Sequence, residues 1–149
     1  MSAKLKDPEY KVLFALNSIQ TEQFATIDGV FKDEEVVNIQ SNLDFGINKE
    51  FRVVGCFAKF QFEVQNQPFI IIGVNCNFEI EPSSWESFID KENKSIVIPR
   101  QIMCHLAVLT VGTARGVLHA KTENTPFNRF LLPTINVTEQ VKEDMVFML

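Results

Sequence analysis

The stretch that most constrains the fold is residues 98–137, IPRQIMCHLAVLTVGTARGVLHAKTENTPFNRFLLPTINV. Pro99 suits the first turn of a helix, where its missing N–H would be unpaired anyway. From there Ile102, Met103, Leu106, Ala107, Leu109, Thr110, Val111 and Ala114 recur at helical spacing on a broad face. Arg115-Gly116 breaks the pattern, which predicts that Gly116 closes the helix in the left-handed conformation. A polar loop over 121–128 follows, then an apolar return through Phe130, Leu131 and Leu132, stiffened by Pro133 and ending on Ile135-Asn136-Val137. A last helix is expected from about Thr138, capped by Thr138 or Asn136. Val141, Met145 and Leu149, four residues apart, would form its apolar stripe.

What precedes this stretch reads as strands. Residues 1–9 look like a short mobile lead, and 10–27 form a strand or two interrupted at Asn17-Ser18. Asp28-Gly29 signals a turn, and Lys32 to Glu35 is an acidic patch. Residues 36–46 alternate at Val37, Ile39, Leu43 and Phe45, the pattern of a half-buried strand. In 51–65, Phe51, Val53, Gly55, Phe57 and Lys59 share one parity, while Phe60, Phe62 and Val64 share the other. That switch of face predicts a bulge within 55–59. Gln65 to Pro68 is a turn, and 69–80 is a long strand apolar on both faces over its first half. Three to four long antiparallel strands with short turns make a meander. Ser83, three residues before Glu86, predicts a capped helix over 84–90 with Trp85, Phe88 and Ile89 on one side. The charged DKENK run, Asp90 to Lys94, reads as a solvated loop. At 149 residues, with no repeat or linker, the chain reads as a single domain over 1–149 with an α+β fold.

Charge and composition exclude several functions. The net charge is −5 with no basic cluster, so nucleic acid is not an expected partner. The cysteines, Cys56, Cys76 and Cys104, are odd in number and lack C-x-x-C spacing. They suggest neither a disulfide framework nor a zinc site, and a reducing, cytoplasmic location is expected. No apolar leader or uninterrupted run of membrane-spanning length is read, so no membrane insertion is expected. His105 adjoins Cys104, but neighbours on a helix point about 100° apart and form no dyad. Glu79 and Glu81 share a strand face without an orienting partner, and Ser83 and Ser84 are explained by capping. His119 reads as a surface residue. No phosphate loop, H-E-x-x-H or calcium loop is present. The reading is a non-enzyme with no catalytic residue, metal or cofactor. The 14 phenylalanines, against one Tyr and one Trp, allow either a Phe-rich core or an apolar surface that meets a partner.

The order of elements resembles the SecB protein-export chaperone family. The residues concerned are FQFEVQ at 60–65 with the following QNQPFIIIG, Ile96-Val97-Ile98-Pro99 entering the long helix, Arg115-Gly116 leaving it, and Leu132-Pro133-Thr134-Ile135-Asn136-Val137. The resemblance implies a four-stranded antiparallel sheet with the long helix and a shorter C-terminal helix packed on one face. It also implies a homo-oligomer, a dimer of dimers, that holds unfolded or pre-export polypeptides in apolar grooves without ATP. By position the groove would be lined by Phe127, Phe130, Leu131, Leu132, Ile135, Val141 and Met145. The long helix would supply the oligomer interface through Ile102, Met103, Leu106 and Leu109, and Glu63 would contact the SecA motor. Gln20, Gln61, the 83–94 insertion and the 121–128 loop depart from the export pattern. They suggest instead a relative dedicated to one client such as an antitoxin. A non-chaperone interaction protein that oligomerises through the 99–116 helix is the further alternative. A hot-dog ligand-binding domain is disfavoured because the long helix follows the strands.

Overall fold

Two central strands organise the protein, β3 (Val53–Val64) and β4 (Gln67–Ile80). The computed structural model describes residues 11–33 and 35–149, and the expected lead at 1–9 lies outside the described residues. On β3 the even positions Val54, Cys56, Ala58, Phe60, Phe62 and Val64 are all buried, and on β4 so are Ile70, Ile72, Val74, Cys76, Phe78 and Ile80. The alternation never changes face. The bulge expected within 55–59 is therefore absent, and the register with the neighbouring β2 (Asn38–Asn48) is unbroken. The irregularity sits instead between Phe62 and Glu63, against β4. Phe57 suggested the switch because it is apolar on the outer face. A Cβ on Gly73 would stand 2.9 Å from the Phe57 ring, so that glycine gives the ring room to lie against the sheet. Gly55 does the same for the Asn77 side chain, at 2.8 Å.

The four-stranded sheet has the order β1-β4-β3-β2, with β1 spanning Phe14–Thr26. Strands β2, β3 and β4 form the expected meander. Gln65 and Asn66 turn the second hairpin with φ of 52° and 66°, the pair of left-handed residues that a tight two-residue turn requires. The first strand departs from the meander: it pairs antiparallel with β4 at the far edge. The polar interruption at Asn17 is a break in register between Leu16 and Ser18 within that one strand.

Helix α1 (Pro82–Ser87) begins before the expected Ser84 because the Glu81 carboxylate caps it, accepting from the Ser84 N–H at 2.9 Å. It ends early enough for Ile89–Asp90 to form β5, paired with β6 (Ser95–Ile98). Trp85 and Phe88 are buried.

The long helix, α2, runs Arg100–Thr122 and packs on β3 and β4. Its buried stripe is Ile102, Met103, Leu106, Ala107, Thr110, Val111, Ala114, Leu118 and Thr122. Length and composition alone would let α2 cross a membrane, but half of its most apolar stretch is buried in the protein. Gly116 does not end the helix. Leu118 and Thr122 extend the buried stripe beyond it, and Asn124, at φ 65°, is the left-handed residue past the terminus.

After a 3₁₀ turn (Pro126–Arg129), the last helix α3 is a single turn, Val137–Gln140. The longer helix expected to carry Val141, Met145 and Leu149 is replaced by β7 (Met145–Met148), which pairs with β6 from Ser95↔Met148 to Ile98↔Met145. Pairing gives β6 a second partner and suits the β-forming run Val146-Phe147. The architecture is the expected α+β one, a four-stranded antiparallel sheet with the long helix and shorter helices. A second, three-stranded sheet, β5-β6-β7, is added to it.

Gly116 is exposed in mid-helix, and a Cβ placed on it would meet no other atom within 4 Å. Gly116→Ala should therefore stabilise the protein by about 0.5–1 kcal/mol. Denaturant unfolding reads the change. A loss of stability would mean that Gly116 is a left-handed terminus after all.

Candidate functional site

Two arginines of α2 fix the return segment that follows it. Arg115 donates through Nε to the Leu132 carbonyl at 2.8 Å and through Nη2 to the Pro133 carbonyl at 2.7 Å. Arg100 donates through Nε to the Val141 carbonyl at 2.7 Å and through Nη2 to that of Thr138 at 3.0 Å. Its own N–H, at the start of the helix, donates to Asp144 Oδ1 at 2.7 Å. The irregular backbone between α2 and β7 thus finds partners without joining a sheet.

This tethering sorts the expected groove residues. Leu132 and Val141 are buried, at 3% and 5% exposure, so Leu132 belongs to the core and Val141 offers no more than an edge of its side chain to a lining. Val137 is buried with them. Phe127, Phe130, Ile135 and Met145 are half-buried, while Leu131 is 59% exposed. Extended backbone turns neighbouring side chains to opposite sides, which is how Leu131 faces solvent beside the sealed Leu132.

Beside this segment lies an open trough. Gln140 Nε2 donates to Ser41 Oγ at 2.9 Å, and Lys49 Nζ donates to the Met148 carbonyl at 3.2 Å. Residues 140–148 therefore run alongside β2 in the same direction, bridged at both ends. The hollow between them, about 360 Å³, is lined by Leu43, Phe45, Val141 and Met145. Glu139, Glu143 and Asp144 also line it, against a single cation, Lys142. An apolar floor with an acidic border favours apolar groups carried on a basic or neutral chain.

Ile102, Met103 and Leu106 are no more than 7% exposed and pack inside the protomer, which removes them from the interface expected of the helix. Leu109 is 40% exposed and has Val108 beside it at 54%. His105 packs edge-on against Phe14, ring centres 5.6 Å apart, and Lys121 lies over the Phe24 ring at 5.8 Å. Helix α2 thus runs along β1, whose Leu16 and Ile19 are each 48% exposed.

Glu63 does not project from the outer face of the sheet. It is 5% exposed and accepts from Gln61 Nε2 at 2.6 Å and Gln40 Nε2 at 3.1 Å. These bonds and its burial take it out of the motor-contact role. The outer face around it is rich in amides, with Asn75 donating to Asn77 and Asn77 to Ser18.

The other candidate chemistry is accounted for locally. Cys104 Sγ lies 3.6 Å from the Val141 carbonyl, so it bonds to the return segment and not to His105. His119 lies 4.0 Å from Glu123 and beside Asn128. The Ser83 hydroxyl at 2.6 Å, then the Ser84 N–H, hold the Glu81 carboxyl below the usual range. Among the described residues no group of three or more His, Cys, Asp or Glu is placed to hold a metal. Sequence reasoning does not point to Arg100, Arg115, Leu43 or Phe45 as site residues. The one signal in the sequence is Arg115, the sole formal charge between Arg100 and Lys121 in an otherwise apolar run.

No family model matches the chain, and no curated protein matches it significantly. Among solved structures it is similar to a Mycobacterium tuberculosis SecB-like chaperone in complex with a peptide from an antitoxin. That match has a TM-score of 0.49 and 6% identity, and covers 82% of this chain and 90% of the other. A Streptococcus agalactiae protein of unknown function matches with a TM-score of 0.41 and 14% identity, over 85% and 99% of the two chains.

Cys56 and Cys76 face one another across β3 and β4, fully buried. Burial pushes the Cys56 thiol up to about 12, against the opposing pull of a Thr110 hydrogen bond. Cys104 alone should therefore react rapidly with Ellman's reagent in the native protein, the other two following only on unfolding. The raised value also means that the stability Cys56 contributes is whole below pH 9.0, its unfolded value, and declines as pH rises toward 12. More than one fast equivalent of thiol would contradict this arrangement.

Proposed function

We propose that the protein is an ATP-independent holdase that binds unfolded polypeptides on the surface formed by the return segment and the trough beside β2. The observation that carries this reading is Leu131, left in solvent by a backbone that is itself held down by Arg115. Around it Phe127, Phe130 and Ile135 are half-covered, and Met145 and Phe45 line the neighbouring trough. Covering such surface contributes roughly 25 cal/mol per Å² whatever the partner's sequence, which suits a binder of many chains. Flexible Met and low-entropy Phe side chains adapt to different occupants. The net charge of −5 helps to keep an apolar surface soluble and attracts basic clients. The free, buried thiols of Cys56 and Cys76 accord with a cytoplasmic location.

The outer face of the sheet favours a second reading, a chaperone dedicated to one client such as an antitoxin. With Glu63 buried, the part of that face around it presents the amides of Gln20, Gln61, Asn75 and Asn77. The exposed carboxylates of the face, Asp44 and Glu79, lie further along the strands from the position expected to meet an export motor. We propose further that the chain self-associates through the flank of β1 and α2, where Leu16, Ile19, Val108 and Leu109 are exposed.

A general holdase slows the aggregation of a heat-unfolded reporter at stoichiometric amounts without nucleotide; a dedicated one protects only its own client. In either case Leu131→Glu should weaken client affinity about tenfold while leaving the fold intact, because the side chain is exposed. Holding equal to wild type by this variant would remove the site. Phe130→Glu is a poor probe, since it would place a charge among packed rings.

Ile19→Arg with Val108→Arg should convert the assembly to single subunits in sedimentation velocity. An unchanged mass would show that the interface lies elsewhere.

A further inference from the structure

At the junction of the return segment and the sheet, four phenylalanines meet. Phe62 and Phe69 are fully buried at the bottom, and Phe130 comes from the return segment, 5.0 Å from Phe69 and 6.2 Å from Phe62. The fourth ring is Phe31, 4.9 Å from Phe130 and 5.4 Å from Phe69. It is carried by residues 28–33, which have neither helix nor strand. Outside it lies Arg129, whose guanidinium carbon is 4.8 Å from the Phe31 centroid and 4.9 Å from that of Phe130. Arg129 Nη2 also pairs with Asp33 Oδ1 at 3.4 Å, both groups well exposed to solvent.

We propose that Phe31 is an internal stand-in for an aromatic side chain of a bound polypeptide, occupying a pocket that Phe62, Phe69 and Phe130 would offer to it. This inference rests on the holdase reading for its ligand but not for its test. Three observations carry it. The rings that meet Phe31 are Phe69, tilted against it, and Phe130, edge-to-face with it, with Phe62 packed behind both, and such a ring cluster favours another ring over an aliphatic group. Phe130 is half-buried and belongs to the return segment, so the pocket borders the segment already assigned to clients. Apart from the ring contacts, which an incoming ring would reproduce, Phe31 is held by one cation–π contact from Arg129 and by the exposed Arg129–Asp33 ion pair, which contribute little in water, so an incoming ring can compete with it. A client would then gain affinity from an aromatic residue only by exchanging it for Phe31, and residues 28–33 would swing outward as it did so.

The test compares Phe31→Ala with wild type, using indole and two synthetic peptides that differ only in one Phe or Ala. Indole should bind Phe31→Ala saturably in calorimetry and should bind wild type far more weakly. The Phe peptide should gain about tenfold in affinity on the substitution, and the Ala peptide should not change. No indole site in Phe31→Ala, or equal changes for the two peptides, would overturn the proposal. Arg129→Gln loosens the tie without emptying the pocket and should give about a threefold gain for the Phe peptide alone. If Phe31→Ala does not fold, the outcome is read on Arg129→Gln, where no gain overturns the proposal. Indole binding by Phe31→Ala, together with no holding of unfolded reporter by wild type, would sink the general-holdase reading alone. Holding by wild type with no indole site in Phe31→Ala would sink this proposal alone.

Discussion

The surface of this protein depends on two guanidinium groups that take the place of secondary structure. A chain that leaves a long helix and crosses a sheet must find partners for its carbonyls. Arg115 and Arg100, fifteen positions apart on α2 and thus about 22 Å along its axis, supply them for Leu132, Pro133, Thr138 and Val141. The backbone is pinned at both points and spans freely between them. Leu132, Val137 and Val141 turn in, Leu131 turns out, and Phe130 and Ile135 remain at the border. A regular strand here would present continuous edges, and a longer helix would bury more of its apolar stripe. The tethered, irregular path instead leaves apolar side chains at the surface on a well-held main chain.

The rest of the molecule makes this arrangement tolerable. The inner faces of β3 and β4, closed by the α2 stripe, form a continuous core in which most positions are fully buried. That core does not depend on Leu131 or on the trough, so exposed apolar surface costs solubility more than it costs stability. The acidic border of Glu139, Glu143 and Asp144 and the overall negative charge counter the loss of solubility. The aromatic cluster at the end of the sheet adds a second layer, since Phe31 covers rings that would otherwise be open to water.

Strands are legible in the sequence where one rule governs them. The alternation of β2 and the long apolar run of β4 identify both strands to within a few residues, and the i, i+3, i+4 stripe places α2. The failures have physical causes. Gly116 resembles a terminus because glycine is common there, but Leu118 and Thr122 continue the buried stripe and tertiary packing overrides a single weak helix former. Val141, Met145 and Leu149 match a helical period, yet the open edge of β6, invisible in a linear pattern, draws residues 145–148 into a strand. Phe57 reads as a core residue because nothing in the sequence says that Gly73 lies diagonally across on β4 with room for a ring. The same limit applies to the site. The crossover is found through its apolar residues, but which of them face inward is set by Arg115 and Arg100, whose carbonyl partners are 17 to 41 positions away.

The central claim is that non-native chains are held on the tethered return segment and the trough beside β2. Amide hydrogen exchange of the protein with and without a permanently unfolded polypeptide tests it most directly. The account predicts added protection over residues 130–136 and 140–148 and along the edge of β2 at 41–47, with none across Asn75 to Asn77 on the outer face. Protection confined to that outer face, or none anywhere at saturating polypeptide, would contradict it.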